Sequence, residues 1–195
     1  MKKLLVVDLC GTIVRVNTTH GFMHEAHLPL LHKAAAQLVL SRGVSFLTSR
    51  WWPQLQRKVL IACLRGLPRG VLRRQAEEYA CRTLSSQGRA DVLQHIRTAQ
   101  EQGVRVVLAS ASLDFIVEAF ANVLLTEPAV STRLMYRADE RCVGRIVVDS
   151  TGRKLALLNH YLETCDFEFD VITDNVEDVD LMKGAASTWF IDNAN

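Results

Sequence analysis

The stretch Leu4-Leu5-Val6-Val7-Asp8-Leu9-Cys10-Gly11-Thr12 constrains this chain more than any other. Four apolar residues, two of them β-branched, read as a strand buried on both faces, as in a parallel sheet. The run stops at a carboxylate. Gly11-Thr12 then supplies a sharp turn with backbone N–H groups and a hydroxyl. In open α/β sheets, ligands bind beyond the carboxyl ends of the strands. Asp8 therefore reads as a nucleophile or a metal ligand, or else as a capping residue at a strand end.

The rest of the chain supports a sheet interrupted by helices. At 195 residues and 49% apolar composition, it can bury one core and still carry an insertion. Residues 20–84 are helical in pattern, with no alternating strand. Helix starts are expected at Thr18 or Thr19, at Thr48 or Ser49, and at Pro68, with breaks at Arg42-Gly43 and Gly66-Leu67-Pro68. An amphipathic helix over 91–102, closed by Gly103, leads into a β-branched strand over 104–112. That strand ends in Ser110-Ala111-Ser112, with Ser112 expected to cap a helix over 113–125. Strand, small hydroxyl residues and helix form a backbone N–H cradle suited to phosphate, or an ordinary strand-to-helix turn.

Two short strands over 130–135 and 145–148 flank a loop or hairpin tip at 138–141, and Gly144 punctuates the second. A turn at Asp149-Ser150-Thr151-Gly152 opens a helix at Arg153-Lys154. A lysine in a first helical turn opposes the macrodipole, which hints at an anionic partner unless the side chain is merely solvated. Val171-Ile172 is a strand ending in a loop with Asp174, Glu177, Asp178 and Asp180. Acids so crowded repel unless a cation sits among them, although an acidic helix N-terminus is the plainer account. Residues 189–191 read as a closing strand and 192–195 as a polar tail.

Composition narrows the classes. Cys10, Cys63, Cys81, Cys142 and Cys165 are scattered and odd in number, which supports neither a disulfide framework nor a zinc site. Most are expected to be small core residues. No apolar run reaches membrane-spanning length. The apolar run after Met1-Lys2-Lys3 is also too short for a leader, so a cytoplasmic protein is expected. Between residues 14 and 90 there are twelve Lys or Arg against three Glu and no Asp. The rest of the chain carries eleven against eighteen. A basic segment facing an acidic remainder suits an anionic substrate beside a cation, or a solvated helical surface.

Asp8-Leu9-Cys10-Gly11-Thr12 resembles the first motif of the haloacid dehalogenase-like (HAD) superfamily, usually Asp-x-Asp-Gly-Thr. Ser110, Lys154 and Asp174-x-x-x-Asp178 fall in the order of its second, third and fourth motifs. The helical insertion resembles the C1 cap of the phosphoserine-phosphatase-like members. The resemblance implies an α/β fold, a doubly wound parallel sheet with a Rossmann-like core of residues 1–14 and 89–195. An all-helical cap of residues 15–88 would be inserted after the first strand, closing over the site on hinges near residues 14–18 and 88–91. It further implies a Mg2+-dependent phosphomonoesterase acting through an aspartyl-phosphate on a small or medium organic phosphate.

In that scheme Asp8 is the nucleophile, and Asp8, Cys10 (through its carbonyl), Asp174 and Asp178 form or orient the metal site. Gly11, Thr12, Ser110, Ala111 and Lys154 contact the phosphate. The substrate would be a small-molecule phosphate ester; no nucleic-acid motif is present, and no feature fixes an oligomeric state.

One residue departs from the pattern. Cys10 stands where phosphatases carry the second Asp, their proton donor and acceptor. A thiol with an ordinary pKa of about 8.5 is a weak acid at neutral pH. Losing general acid–base help costs about 10²–10⁴ in rate. Such a protein is slow, acts on a substrate whose leaving group needs no proton, or binds a phosphorylated ligand or partner without turnover; a phosphotransferase is a further alternative. A substitute donor would come from His20, His24 and His27, spaced to share a helical face, which also suits a metal or an ordinary surface. The stretch 46–53, with Trp51-Trp52, would stack on substrate or form the cap's own small core.

Overall fold

The computed structural model describes residues 3–41, 52–163 and 167–192. The helix start at Thr48 or Ser49, the break at Arg42-Gly43, residues 46–51 of the tryptophan-bearing stretch and Cys165 lie outside them.

Strand β1 (Leu4–Val7) is central and fully buried. It pairs in parallel with β2 (Arg105–Leu113) on one side and β5 (Phe169–Thr173) on the other. With β3 (Glu127–Tyr136), β4 (Cys142–Val148) and β6 (Ser187–Phe190), these form one six-stranded sheet in the order β4-β3-β2-β1-β5-β6. All pairings are parallel except β3 with β4. That exception is the hairpin whose tip the sequence places at 138–141.

Alternation along β1 divides the apolar residues between two cores. Leu5 and Val7 join the larger one, with α5 (Ala90–Glu101) and α6 (Asp114–Leu124) on that face. Leu4 and Val6 join the smaller one, which is covered by α7 (Lys154–Leu162) and α8 (Val179–Gly184). Helices on both faces of a mainly parallel sheet make the fold doubly wound. The chain turns opposite ways from β1 to β2 and from β1 to β5. The crevice this opens lies beyond the carboxyl ends of those three strands.

Between β1 and α5 the described residues form helices: α1 (Thr18–Glu25), α2 (Leu30–Leu40), α3 (Trp52–Ala62) and α4 (Arg69–Gln87). The two segments entering and leaving this insertion pair with each other. Arg15 N donates to Gln87 O at 3.0 Å and Arg89 N to Ile13 O at 2.9 Å. Among the described residues, the buried apolar side chains of the insertion join the larger core of the sheet. Phe22 of α1 and Tyr79 of α4 pack edge-on against each other, and against Phe115 and Phe120 of α6 respectively.

The uneven charge of the sequence is partly explained here. Arg57, Arg69 and Arg73 of the insertion pair with Asp149, Glu118 and Glu140 outside it. Much of the basic surplus thus faces the acidic part of the same chain.

Several local expectations change. β2 continues through Ser112 to Leu113, so Ser112 does not cap α6. Asp114 instead starts that helix and bonds the Phe115 N–H at 2.9 Å, while the Ser112 hydroxyl faces Cys10 and Thr18. α1 starts at Thr18 with Asn17 as its cap, and it stops at Glu25, beyond which Ala26 is extended at φ −56° and ψ 142°. His27 therefore lies past the helix and off the face shared by His20 and His24. Gly144 sits inside β4 with φ +76°, where a side chain would press on Ala62 and Arg65 beside α3. Of the four described cysteines, Cys63 and Cys142 are buried, Cys10 is half-buried and Cys81 is exposed; all four are free. No helix among the described residues is long and apolar enough to cross a membrane.

Candidate active site

A cleft of about 550 Å³ lies over the carboxyl ends of β1, β2 and β5, bordered by α1 and α3. Asp8, Cys10, Ser110, Ala111, Lys154 and Asp174 all line it, as the four sequence motifs lead one to expect. β1 delivers Asp8 directly: its backbone N–H extends the sheet ladder to Ile172 O at 2.9 Å, and its side chain is buried.

The Asp8 carboxylate accepts the Leu9 N–H at 2.7 Å and meets Lys154 Nζ at 3.1 Å, both at Oδ1. Lys154 is buried at the first position of α7, so its ammonium has no solvent to meet. Its nitrogen also donates to Asp178 Oδ2 at 2.7 Å. That oxygen accepts the Thr173 hydroxyl at 2.8 Å as well. A chain of fixed partners thus runs from β5 through Asp178 and Lys154 to Asp8.

Burial pushes the Asp8 pKa up and the nearby Asp178 charge adds to this; Lys154 and the Leu9 N–H pull it back, leaving it at about 6. Burial disfavours the charge on Lys154, but the two carboxylates outweigh it and hold its pKa above the ordinary value.

Asp174 is fixed from the β1 turn. Thr12 donates its hydroxyl to Asp174 Oδ1 at 2.8 Å and accepts the Asp174 N–H at 2.9 Å. The hydroxyl hydrogen of Thr12, expected to serve phosphate, is thereby given to Asp174. Gly11 makes this approach possible. It adopts φ +76°, and a side chain there would overlap the Asp174 carboxylate. Arg89 Nε bonds the Gly11 carbonyl at 3.0 Å and so ties the turn to the exit of the insertion.

Asp8 and Asp178 share the ammonium of Lys154, and Asp174 lines the same cleft as Asp8, so carboxylate oxygen is gathered where a hard cation with oxygen ligands would fit. Asp8 and Asp174 are suited to ligate it; Asp178 is engaged with Lys154 and Thr173. Among the described residues no three His, Cys, Asp or Glu side chains are grouped to hold a metal by themselves. A cation here would also need backbone carbonyl oxygen and water, as magnesium commonly does.

On the other side of Asp8 the chemistry is uncharged. Cys10 Sγ lies 3.0 Å from both Thr18 Oγ1 and Ser112 Oγ, and accepts the Thr18 N–H at 3.3 Å. Burial and the Asp8 charge push the Cys10 thiol pKa up, against its bonds to Ser112 and Thr18, so it keeps its proton. His20 lines the cleft from α1, and burial lowers its pKa. His24 and His27 are exposed elsewhere.

Sequence reasoning missed Thr18 and Ser112 as partners of Cys10, Thr173 as the anchor of Asp178, and Arg57. Arg57 reaches from α3 to the Ala111 carbonyl at 3.3 Å, the Thr132 hydroxyl at 2.8 Å, Asp149 at 3.0 Å and the Thr151 hydroxyl at 2.7 Å. Thr132 in turn meets the Ser150 hydroxyl, which donates to Ser110 O at 2.9 Å. Most of these partners lie tens of residues apart in the chain; in the sequence, Thr18 reads only as a helix start.

A family model described as haloacid dehalogenase-like hydrolase matches residues 5–183. A search of curated protein sequences finds none that matches. Among solved structures, a protein of unknown function from Bordetella pertussis Tohama I superposes with a TM-score of 0.76 at 18% identity, covering 96% of this chain and 89% of that one. Cytosolic 5'-nucleotidase IIIB bound to cytidine superposes with a TM-score of 0.66 at 16% identity, over 97% and 72% of the two chains. A phospho-aspartyl intermediate analogue of phosphoserine phosphatase gives 0.59 at 18%, over 96% and 85%. At these identities the likeness is one of fold.

Proposed function

The chain belongs to the haloacid dehalogenase-like hydrolases, and from that premise we propose that it is a magnesium-dependent phosphatase acting through an aspartyl-phosphate on small or medium organic phosphates. The observation that carries this reading is the buried Lys154, fixed between Asp8 and Asp178 beside Ser110 at the carboxyl ends of the central strands. A buried ammonium next to a buried carboxylate suits a reaction that brings a phosphoryl group onto that carboxylate. The phosphatase and nucleotidase among the fold relatives agree with it.

In this reading Asp8 attacks phosphorus with the carboxylate oxygen not held by Leu9 and Lys154. Lys154 and the hydroxyl of Ser110 hold the phosphoryl oxygens, with the Gly11 and Ala111 backbone close by, and water then cleaves the aspartyl-phosphate. Asp8, Asp174 and the Cys10 carbonyl would hold magnesium, whose charge offsets that of the phosphoryl oxygens. Asp178 keeps Lys154 charged and in place. The helices of residues 15–88 act as a cap that borders the cleft and selects the substrate.

Because Cys10 replaces a carboxylate, turnover of ordinary esters is slow. The same residue supports a second reading, in which the site binds a phosphorylated ligand without turning it over. Phosphate release from a metabolite panel with magnesium, run on wild type and Asp8→Asn, tests both. Release abolished by Asp8→Asn is expected. Thermal stabilisation by panel members, with no release, would favour the binding protein.

A further inference from the structure

The ring of hydroxyl and thiol groups beside Asp8 limits which groups can leave from phosphorus. Cys10 Sγ lies 3.0 Å from Thr18 Oγ1 and from Ser112 Oγ, and those two oxygens lie 2.6 Å apart. Three groups carry three hydrogens and make three contacts, so a closed ring in which each hydrogen serves one contact is open to them, and Cys10 Sγ accepts the Thr18 N–H as well. Thr18 and Ser112 are buried. If the thiol swings its hydrogen toward the cleft, one of the three contacts is left without a proton, which opposes the motion. Toward the cleft, then, Cys10 presents sulfur and withholds its hydrogen.

We infer that the site takes acid anhydrides of phosphate, acyl phosphates first among them, in preference to alkyl esters; this rests on the phosphatase reading above. In the first step an Asp8 oxygen bonds to phosphorus while the bond to the leaving oxygen breaks. That oxygen keeps the electron pair and departs as a stable carboxylate that needs no proton. In the second step a water oxygen bonds to phosphorus and the bond to Asp8 breaks, its electron pair returning to the carboxylate. The water's surplus hydrogen ion passes to solvent. An alkoxide is a far more basic leaving group and needs the proton that the ring withholds.

The test compares acetyl phosphate, 4-nitrophenyl phosphate and ethyl phosphate as substrates of the full chain with magnesium. The expected kcat/KM falls in that order, with ethyl phosphate at least about 10²-fold below acetyl phosphate. In Cys10→Asp the ratio between acetyl and ethyl phosphate contracts by about 10²–10⁴. The wild-type order stands as a result even where that variant does not fold.

Ethyl phosphate turned over within about tenfold of acetyl phosphate overturns the inference and leaves the phosphatase intact. If His20→Gln then opens the gap, the proton comes from α1 and the ring does not set the substrate class. No release from any of the three, with no hydroxylamine-sensitive phosphate on Asp8 after acetyl phosphate, removes the phosphatase reading and this inference together.

Discussion

Two polar clusters flank Asp8, and they are built on opposite principles. On one side Lys154, Asp178 and Thr173 form a charged chain, buried and close-spaced, in which each ion is held by its opposite. On the other, Cys10, Thr18 and Ser112 form an uncharged ring in which each group contacts the other two. The charged chain fixes a cation where phosphoryl oxygens would sit, and it pairs groups whose separation would be severely penalised. The ring holds a side chain where a proton donor would sit, and it keeps the proton to itself. Binding and proton transfer, which a carboxylate at position 10 would join, are here separated in space.

Three measurements bear on this contrast. The largest effect is expected from Lys154→Met, which strands two buried carboxylates and costs about 3–5 kcal/mol in urea unfolding. A cost no larger than that of breaking the ring would dissolve the distinction.

Second is Asp8→Asn. The folded pKa of Asp8 lies at about 6, above its ordinary 3.8. A group raised in this way contributes stability that is present below the unfolded value and lost as pH rises through the folded one. Without divalent metal, Asp8→Asn should therefore be more stable than wild type at pH 7 by up to about 3 kcal/mol. The advantage should close as pH falls from 6 toward 4. A gap in thermal midpoint that stays constant with pH would show that Asp8 is ionised without strain.

The smallest effect belongs to Thr18→Val, which removes one member of the ring and leaves Ser112 and Cys10 short of a partner. It should cost about 1–3 kcal/mol. Combined with Ser112→Ala, it should cost less than the sum of the two single changes, because the second has less left to break. Strict additivity would mean the three groups do not act together.

Legibility followed the physics of each cluster. Asp8, Lys154, Asp174 and Asp178 announce themselves because each sits where a strand ends or a helix begins, and such punctuation is local; Ser110 was found by the same signal although β2 runs on to Leu113. The alternation that divides Leu4 and Val6 from Leu5 and Val7 is local too, and with it the double winding of the sheet. Thr18 and Ser112 meet 94 residues apart. Nothing in a threonine at a helix start reveals that its hydroxyl will turn toward a cysteine on another element. Thr12 was legible as a hydroxyl in the right turn but not in its partner, since Asp174 comes to it from β5. The face proposed for three histidines failed because α1 stops at Glu25, two residues short of His27.

The shared core of sheet and insertion decides where this molecule can give. Prising α1 and α4 from α6 would wet Phe22, Tyr79, Phe115 and Phe120, four rings that now shield one another. Helix α2 is fastened far more lightly: it buries Ala36 and leaves Leu30, Leu31 and Leu38 in solvent. The insertion is therefore anchored firmly at α1 and α4 and lightly at α2, and Arg57, gripping Asp149, Thr132 and the Ala111 carbonyl at once, fastens α3.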